Sequence, residues 1–263
     1  MDKMKILICI QSCNNEPYVS NTKHMIDSYK HIIYKMNLPI KCFYITGNGT
    51  DFSYFNGNEI SLGCDDRECQ TKQYNLYQVL LGVDWIDFDV IVQTNASTIL
   101  NIVELYKFLT TEYQKEYLYC GSIVNWWHVN GSVDYPNGNL YIYSKDYLRL
   151  FFDKWFESIE SIKNNYKDMD IENKNQNELM WTGVSEDFII GYIMKNNNIE
   201  IKRIDNVLNF RSTISDNVDF MKPNIYDYLA IYAKTQMANI EMRQQIEPNI
   251  IELFALIFER HYL

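Results

Sequence analysis

FDVIVQTNASTILN, Phe88 to Asn101, is the stretch on which the fold turns. Val90, Ile91 and Val92 make a short β-branched apolar run that stops in small polar residues. Apolar residues then resume at helical spacing through Ile99, Ile102, Leu105, Tyr106 and Leu109. A buried strand that delivers a polar corner to a helix has this pattern. In open α/β sheets ligands bind beyond the carboxyl ends of the strands, so Gln93 to Thr98 is the expected rim of a site.

The same alternation extends outward on both sides. Lys5–Cys13 (KILICIQSC) reads as a buried first strand and Thr22–Met36 as a helix with Met25, Ile26, Tyr29, Ile32 and Ile33 inward. Ile40–Thr46 is a second strand closed by a Gly-Asn-Gly turn, and Glu59–Leu62 a short third. Gln70–Val83 reads as a helix that turns Tyr74, Tyr77, Leu80 and Leu81 inward. Beyond the central stretch come a strand over Tyr117–Val124, running into Trp126, Trp127 and His128, and an alternating strand over Gly138–Ser144. Helices follow over Lys145–Ile159 and within Thr182–Lys195, then a strand over Ile199–Ile204 and an amphipathic helix over Ile246–His261. The polar Asn164–Asn177 segment reads as a loop, either a lid or a surface excursion. Strand-helix alternation without a Pro/Gly-rich linker predicts one α/β domain over 1–263, a mostly parallel central sheet flanked by helices. Its parts are a ligand-binding half (1–125), a second half (126–215) and a C-terminal helical extension (216–263).

Composition narrows the function. A hydrophobic content of 47% supports a real core. Twenty-one tyrosines and five tryptophans suit a site that stacks flat or ring-shaped ligands, and suit an aromatic core equally. With 24 basic against 34 acidic residues the net charge is −10, which opposes nucleic-acid binding. The six cysteines (Cys9, Cys13, Cys42, Cys64, Cys69, Cys120) follow no zinc spacing and only four histidines accompany them. Reduced structural thiols are the expectation. The apolar run at the N-terminus is too short for a signal peptide and no stretch has transmembrane length, so a soluble, cytoplasmic protein is expected. No Gly-rich phosphate loop or dinucleotide fingerprint is present.

Four separated pieces resemble, in order, the GT-A fold glycosyltransferases of the Fringe and β-1,3-galactosyltransferase type. NLYQVLLGVDWI (Asn75–Ile86) is similar to the helix before that family's metal motif, and VIVQTNASTILN stands where the family has an aspartate-rich turn. YPNGNLYIYSKD (Tyr135–Asp146) resembles the Gly-rich acceptor-side strand. GVSEDFIIG (Gly183–Gly191) resembles the Glu-Asp-Val helix start near the catalytic base. The resemblance spans Asn75–Gly191 and implies a hexosyltransferase-like enzyme with a nucleotide-sugar donor and a glycan or glycoconjugate acceptor. It further implies an inverting mechanism with Asp187 as general base and Glu186 as its understudy. On the residues alone, both carboxylates serve equally as first-turn acids of a helix capped by Ser185.

The chain departs from the family at the metal. Asn95, Ala96 and Ser97 replace the aspartate triplet, and neutral oxygens are poor ligands for Mn²⁺ or Mg²⁺. No metal ligand is assigned, and a metal-independent enzyme is expected. Such a neutral corner is similar to that of viral and bacterial surface-polysaccharide transferases. Where the family has a lysine, the preceding helix has Gln78; where it has a metal-binding histidine, the chain reads Asn209-Phe210-Arg211-Ser212. Arg211 is then the candidate cation for the donor diphosphate, or else pairs with a surface carboxylate. The other donor candidates are Gln11, Ser12 and Cys13 at the first strand's tip, Asp65, Asp66 and Arg67 after the third strand, and Thr94 to Thr98 (Thr94, Asn95, Ala96, Ser97, Thr98). Asp65 to Arg67 read equally as a solvated turn. Acceptor candidates are Trp126, Trp127, His128, Gly138 and Asn139, although one tryptophan is expected in the core, His128 reads equally as structural, and Gly138-Asn139 equally as a plain turn. The alternative function is a non-catalytic GT-A relative that binds a glycan or protein partner. Oligomeric state is open.

Overall fold

The first apolar run forms β1 (Ile6–Gln11), buried on both faces except at its last residue. The computed structural model describes residues 3–66, 68–126, 131–137, 139–165, 185–209, 228–232 and 240–262. After β1 come α1 (Tyr18–Met36), β2 (Ile40–Gly47), β3 (Tyr54–Asn56), β4 (Glu59–Leu62), α2 (Cys69–Gly82) and β5 (Val90–Asn95). Then follow β6 (Thr98–Leu100), α3 (Ile102–Thr111), β7 (Leu118–Cys120), β8 (Ile123–Trp126), β9 (Val133–Pro136), β10 (Leu140–Ser144) and α4 (Lys145–Asn165). The remaining described elements are α5 (Glu186–Asn196), β11 (Ile201–Arg203), β12 (Val207–Asn209), β13 (Ala230–Tyr232) and α6 (Ile240–Tyr262).

Eight strands form one sheet in the order β11-β7-β10-β5-β1-β2-β4-β3. β1 pairs in parallel with both β2 and β5, so the chain steps one way from β1 and then reverses to the other side. The crevice at such a reversal is where open α/β sheets hold ligands. β10 runs antiparallel between β5 and β7. The expected mostly parallel α/β sheet is thus present.

Side-chain alternation splits the core in two. Ile6, Ile8, Ile10, Val90 and Val92 face the layer that contains buried residues of α1, α3 and α6. Leu7, Cys9 and Ile91 face the layer that contains α2, α4 and α5. Two covered faces explain the unbroken apolar runs of β1 and β5. They also correct the reading of Gly138–Ser144. That stretch alternates in sequence, yet all five residues of β10 are buried, because its tyrosines face the second helical layer rather than water.

Two boundaries move for tertiary reasons. Ile99 keeps helical spacing with Ile102 but lies in β6, which pairs antiparallel with β13, and α3 begins only at Ile102 under an Asn101 cap. Tyr117–Val124 divides into β7 in the main sheet and β8 in a hairpin with β9. The C-terminal helix lies along α1, tied by Ser28 Oγ donating to the Ala255 carbonyl (3.3 Å) and by a 2.6 Å His31–Glu259 contact. Its stripe of Ile250, Phe254 and Phe258 is buried in the first layer.

Where α5 crosses β9, a methyl group on Gly191 would stand 2.6 Å from the Asp134 carbonyl oxygen. Backbone cannot yield there as a flexible side chain would. Gly191→Ala should therefore destabilise the fold by about 1–3 kcal/mol in urea denaturation. An unchanged urea midpoint would contradict this packing.

Candidate active site

At the carboxyl ends of β1 and β5, between the amino ends of α2 and α5, lies a cavity of about 670 Å³. It gathers nine of the residues singled out in the sequence. Gln11, Ser12 and Cys13 come from the tip of β1, and Asp65 and Asp66 from the turn before α2. Asn95 and Ala96 come from the β5 corner, and Glu186 and Asp187 from the first turn of α5. Thr94, Ser97 and Thr98 are buried and do not line it. Asn139 is also buried behind the wall, and Trp126 packs edge-on against Phe188 instead. Arg67, Trp127, His128, Gly138 and Arg211 lie outside the described residues.

The side chain that organises the cavity is Lys72, which the sequence reading passed over. Its ammonium donates to Asp66 Oδ1 at 2.7 Å and to the Ser12 carbonyl at 3.1 Å. Asp66 in turn accepts from the backbone N–H of Gly47 (2.7 Å) and of Asn14 (2.7 Å). One carboxylate thus joins the tips of β1 and β2 to α2. The Lys72 and Asp66 side chains are only 5% and 16% exposed, so the pair is shielded from water and salt. An ammonium has three donors, and two are committed to these partners. Among the described residues the third donor has no partner, and Lys72 lines the cavity.

Beside it runs a row of carboxamides. Gln11 Nε2 donates to Gln73 Oε1 at 2.9 Å, Gln73 Nε2 donates to Gln93 Oε1 at 3.0 Å, and the Tyr143 hydroxyl donates to the same Gln93 oxygen at 3.0 Å. This satisfied polar row fixes the cavity floor without a charge. A signal for both findings existed in the sequence. Lys72 and Gln73 lie one helical turn before Leu76 and Tyr77, on the same inward face of α2, and polar residues on an apolar stripe mark a wetted end of that face.

The β5 corner is closed on itself. Asn95 Oδ1 accepts from the Ser97 N–H (3.0 Å) and from Thr98 Oγ1 (3.1 Å), while the Ala96 N–H donates to the Gln11 carbonyl (2.9 Å). Both lone pairs of the Asn95 carbonyl are therefore engaged in holding the turn. The corner does not fit a divalent cation, which needs several free, preferably anionic oxygens. Among the described residues no three His, Cys, Asp or Glu side chains are arranged to hold a metal ion.

The first turn of α5 brings further carboxylates to the cavity. Ser185 caps α5, its Oγ accepting from the Phe188 N–H at 3.3 Å, and Glu186 and Asp187 follow in the first turn. The buried Tyr141 hydroxyl donates to Asp187 Oδ1. Burial, and then the nearby Asp187 and Glu186 charges, push the Tyr141 phenol far above its ordinary range, so it stays a proton donor. Burial raises the Glu186 carboxyl above the usual carboxylate range, with the Lys72 charge pulling the other way. The half-buried Cys13 thiol at the cavity is also raised, by burial first, so it is not a ready nucleophile.

No protein-family model and no curated protein matches the chain. Among solved structures it is similar to a glycosyltransferase involved in glycosylating the major capsid of PBCV-1. That match has a TM-score of 0.48 and 10% identity, over 95% of this chain and 99% of the other. An active-site mutant of LgtC gives a TM-score of 0.46 at 9% identity, over 87% of this chain and 86% of the other. The apo-form glycosyltransferase GlyE of Streptococcus pneumoniae TIGR4 gives 0.47 at 11% identity, over 99% of this chain but 63% of the longer GlyE. At these scores and identities the likenesses carry no functional weight; function has to be read from the side chains that line the cavity.

Lys72→Met should cost about 3 kcal/mol of stability, the low end for a broken buried pair, because Asp66 keeps its two backbone donors. In a double-mutant cycle with Asp66→Asn, strong coupling between the two losses is expected in urea denaturation; additive losses would show that the pair does not act as a unit.

Proposed function

We propose that the protein is a nucleotide-sugar-dependent glycosyltransferase that acts on a glycan or glycoconjugate acceptor, inverting at the anomeric carbon and using no resident metal. The observation that supports this most is that Lys72 and the Glu186–Asp187 turn line one cavity at the β1/β5 reversal. Sugar transfer needs both. A cation must balance charge that develops on the departing diphosphate, and a carboxylate must take the acceptor proton.

Lys72 supplies the first in a water-shielded position, where its charge is worth more than in bulk solvent. The amino end of α2 borders the cavity through Glu68 and Cys69, and Glu68 places no side-chain cap on that helix, so its dipole favours an anion there. Gln11 and the other polar groups on the floor are suited to ribose or sugar hydroxyls. The rim works against the donor: Asp65 and Glu68 are exposed at the mouth and repel a diphosphate. Donor affinity should therefore rise as moderate salt screens the rim, while the buried Lys72 contact is little affected.

The resemblance to the Fringe-type enzymes supports the same class, with an acceptor drawn from surface-polysaccharide chemistry and an enzyme that works in the cytoplasm. Among the described residues no helix is long and apolar enough to cross a membrane.

A glycan-binding relative without turnover is the second reading, favoured by the neutral, self-satisfied Asn95 corner. Thermal shift with a panel of nucleoside diphosphates and nucleotide sugars, followed by donor hydrolysis in EDTA, separates them. The transferase reading expects at least one nucleoside diphosphate to raise Tm and its sugar conjugate to be consumed with chelator present. A Tm shift without any consumption would favour the binding relative, and no shift with any nucleotide would sink both nucleotide readings.

A further inference from the structure

We infer that, of the two adjacent carboxylates at the head of α5, Glu186 is the catalytic base, and that Tyr141 retires Asp187 to a positioning role by holding it in a buried hydrogen bond. The inference rests on the glycosyl-transfer reading and reverses the assignment that the family resemblance implies. It stands first on geometry. Both carboxylates line the cavity, but the Tyr141 hydroxyl is spent on Asp187 Oδ1. Among the described residues the Glu186 carboxylate receives no side-chain hydrogen bond. The hydrogen bond to the Glu186 carboxylate comes from its own backbone N–H, which leaves that side chain freer to approach an acceptor hydroxyl than one held by the buried Tyr141 phenol.

The surroundings act on Glu186 in the direction this needs. Burial raises the Glu186 carboxyl, which suits it to accept a proton near neutral pH, while its own backbone N–H and then the Lys72 charge pull the other way. The groups that face Glu186 are Lys72, Cys69 and Tyr77 of α2 and Tyr141 of β10; Tyr135 of β9 faces Asp187. Of these, Lys72 is the positive charge, and the thiol and phenols stay neutral. Two like groups in unlike settings mark a division between base and spectator.

The step balances without further reagents. The acceptor oxygen forms its bond to the anomeric carbon as its proton passes to a Glu186 carboxylate oxygen. The bond from that carbon to the diphosphate oxygen breaks, and the electron pair leaves on the diphosphate against Lys72. Asp187 takes no proton and keeps α5 docked through Tyr141.

Steady-state kinetics of wild type, Glu186→Gln, Asp187→Asn and Tyr141→Phe, with nucleoside diphosphate affinity measured alongside, test this. Glu186→Gln should lose about 10²–10⁴-fold in kcat with diphosphate affinity kept, as expected for loss of a general base. Asp187→Asn should lose much less. The wild-type kcat/KM should fall as pH drops through a value above the ordinary carboxylate range, because the base must be ionised. Tyr141→Phe should leave that limb in place. Retained turnover in Glu186→Gln, or an acid limb that moves in Tyr141→Phe, would assign the proton to Asp187 and overturn the inference. If Glu186→Gln does not fold, the position of the limb in wild type and Tyr141→Phe still decides it. Wild type that turns over no donor would overturn the transferase reading and this one together, whereas active wild type with active Glu186→Gln overturns this one alone.

Discussion

The buried ion pair between Lys72 and Asp66 is the constraint on which the site depends. A carboxylate that accepts from Lys72, Gly47 and Asn14 at once holds the ends of two neighbouring strands and the start of a helix in one place. Gly47 allows this because any Cβ there would stand 2.6 Å from the Asp66 backbone. Desolvating two charges is costly, and a well-packed apolar pair would serve stability as well or better. Its retention in a wall of the cavity makes more sense as function. A cation held by a neighbouring anion stays in place beside the cavity.

The rest of the cavity follows from what that pair leaves over. The β5 corner, neutral and closed on its own hydrogen bonds, contributes shape rather than charge. The glutamine row stiffens the floor without adding charge. Beside the carboxylates before α2, Glu186 and Asp187 add negative charge at the start of α5, where the helix dipole tolerates it and the Lys72 charge acts on Glu186. The proposed transfer asks for a cation and a proton acceptor in one cavity, and Lys72 and the α5 carboxylates both line this one.

Much of the fold was legible because the sheet is buried on both faces. Apolar runs such as KILICIQ and VIV admit few other assignments once helical stripes separate them, and Glu59–Leu62 was placed with its observed bounds. Failures came where a distant partner decides the matter. Ile99 joins a strand because β13 lies beside it, and β10 is covered by helices that its alternation could not announce. At the site, strand tips were readable because chain order and sheet order are linked. Lys72 was missed because the helix was read for its aromatic stripe, and a lysine within an amphipathic pattern looks like surface until its burial is known. Asp66, read as a donor contact or a solvated turn, lines the cavity and accepts from Lys72, Gly47 and Asn14.

A crystal structure with a bound nucleoside diphosphate, taken from whichever nucleotide gives the largest thermal shift, tests the central claim most directly. The account predicts a phosphate oxygen within hydrogen-bonding distance of Lys72 Nζ, with the Lys72–Asp66 contact intact and no protein-held cation at Asn95. A diphosphate seated away from Lys72, or one bridged to the β5 corner by a metal ion, would contradict it.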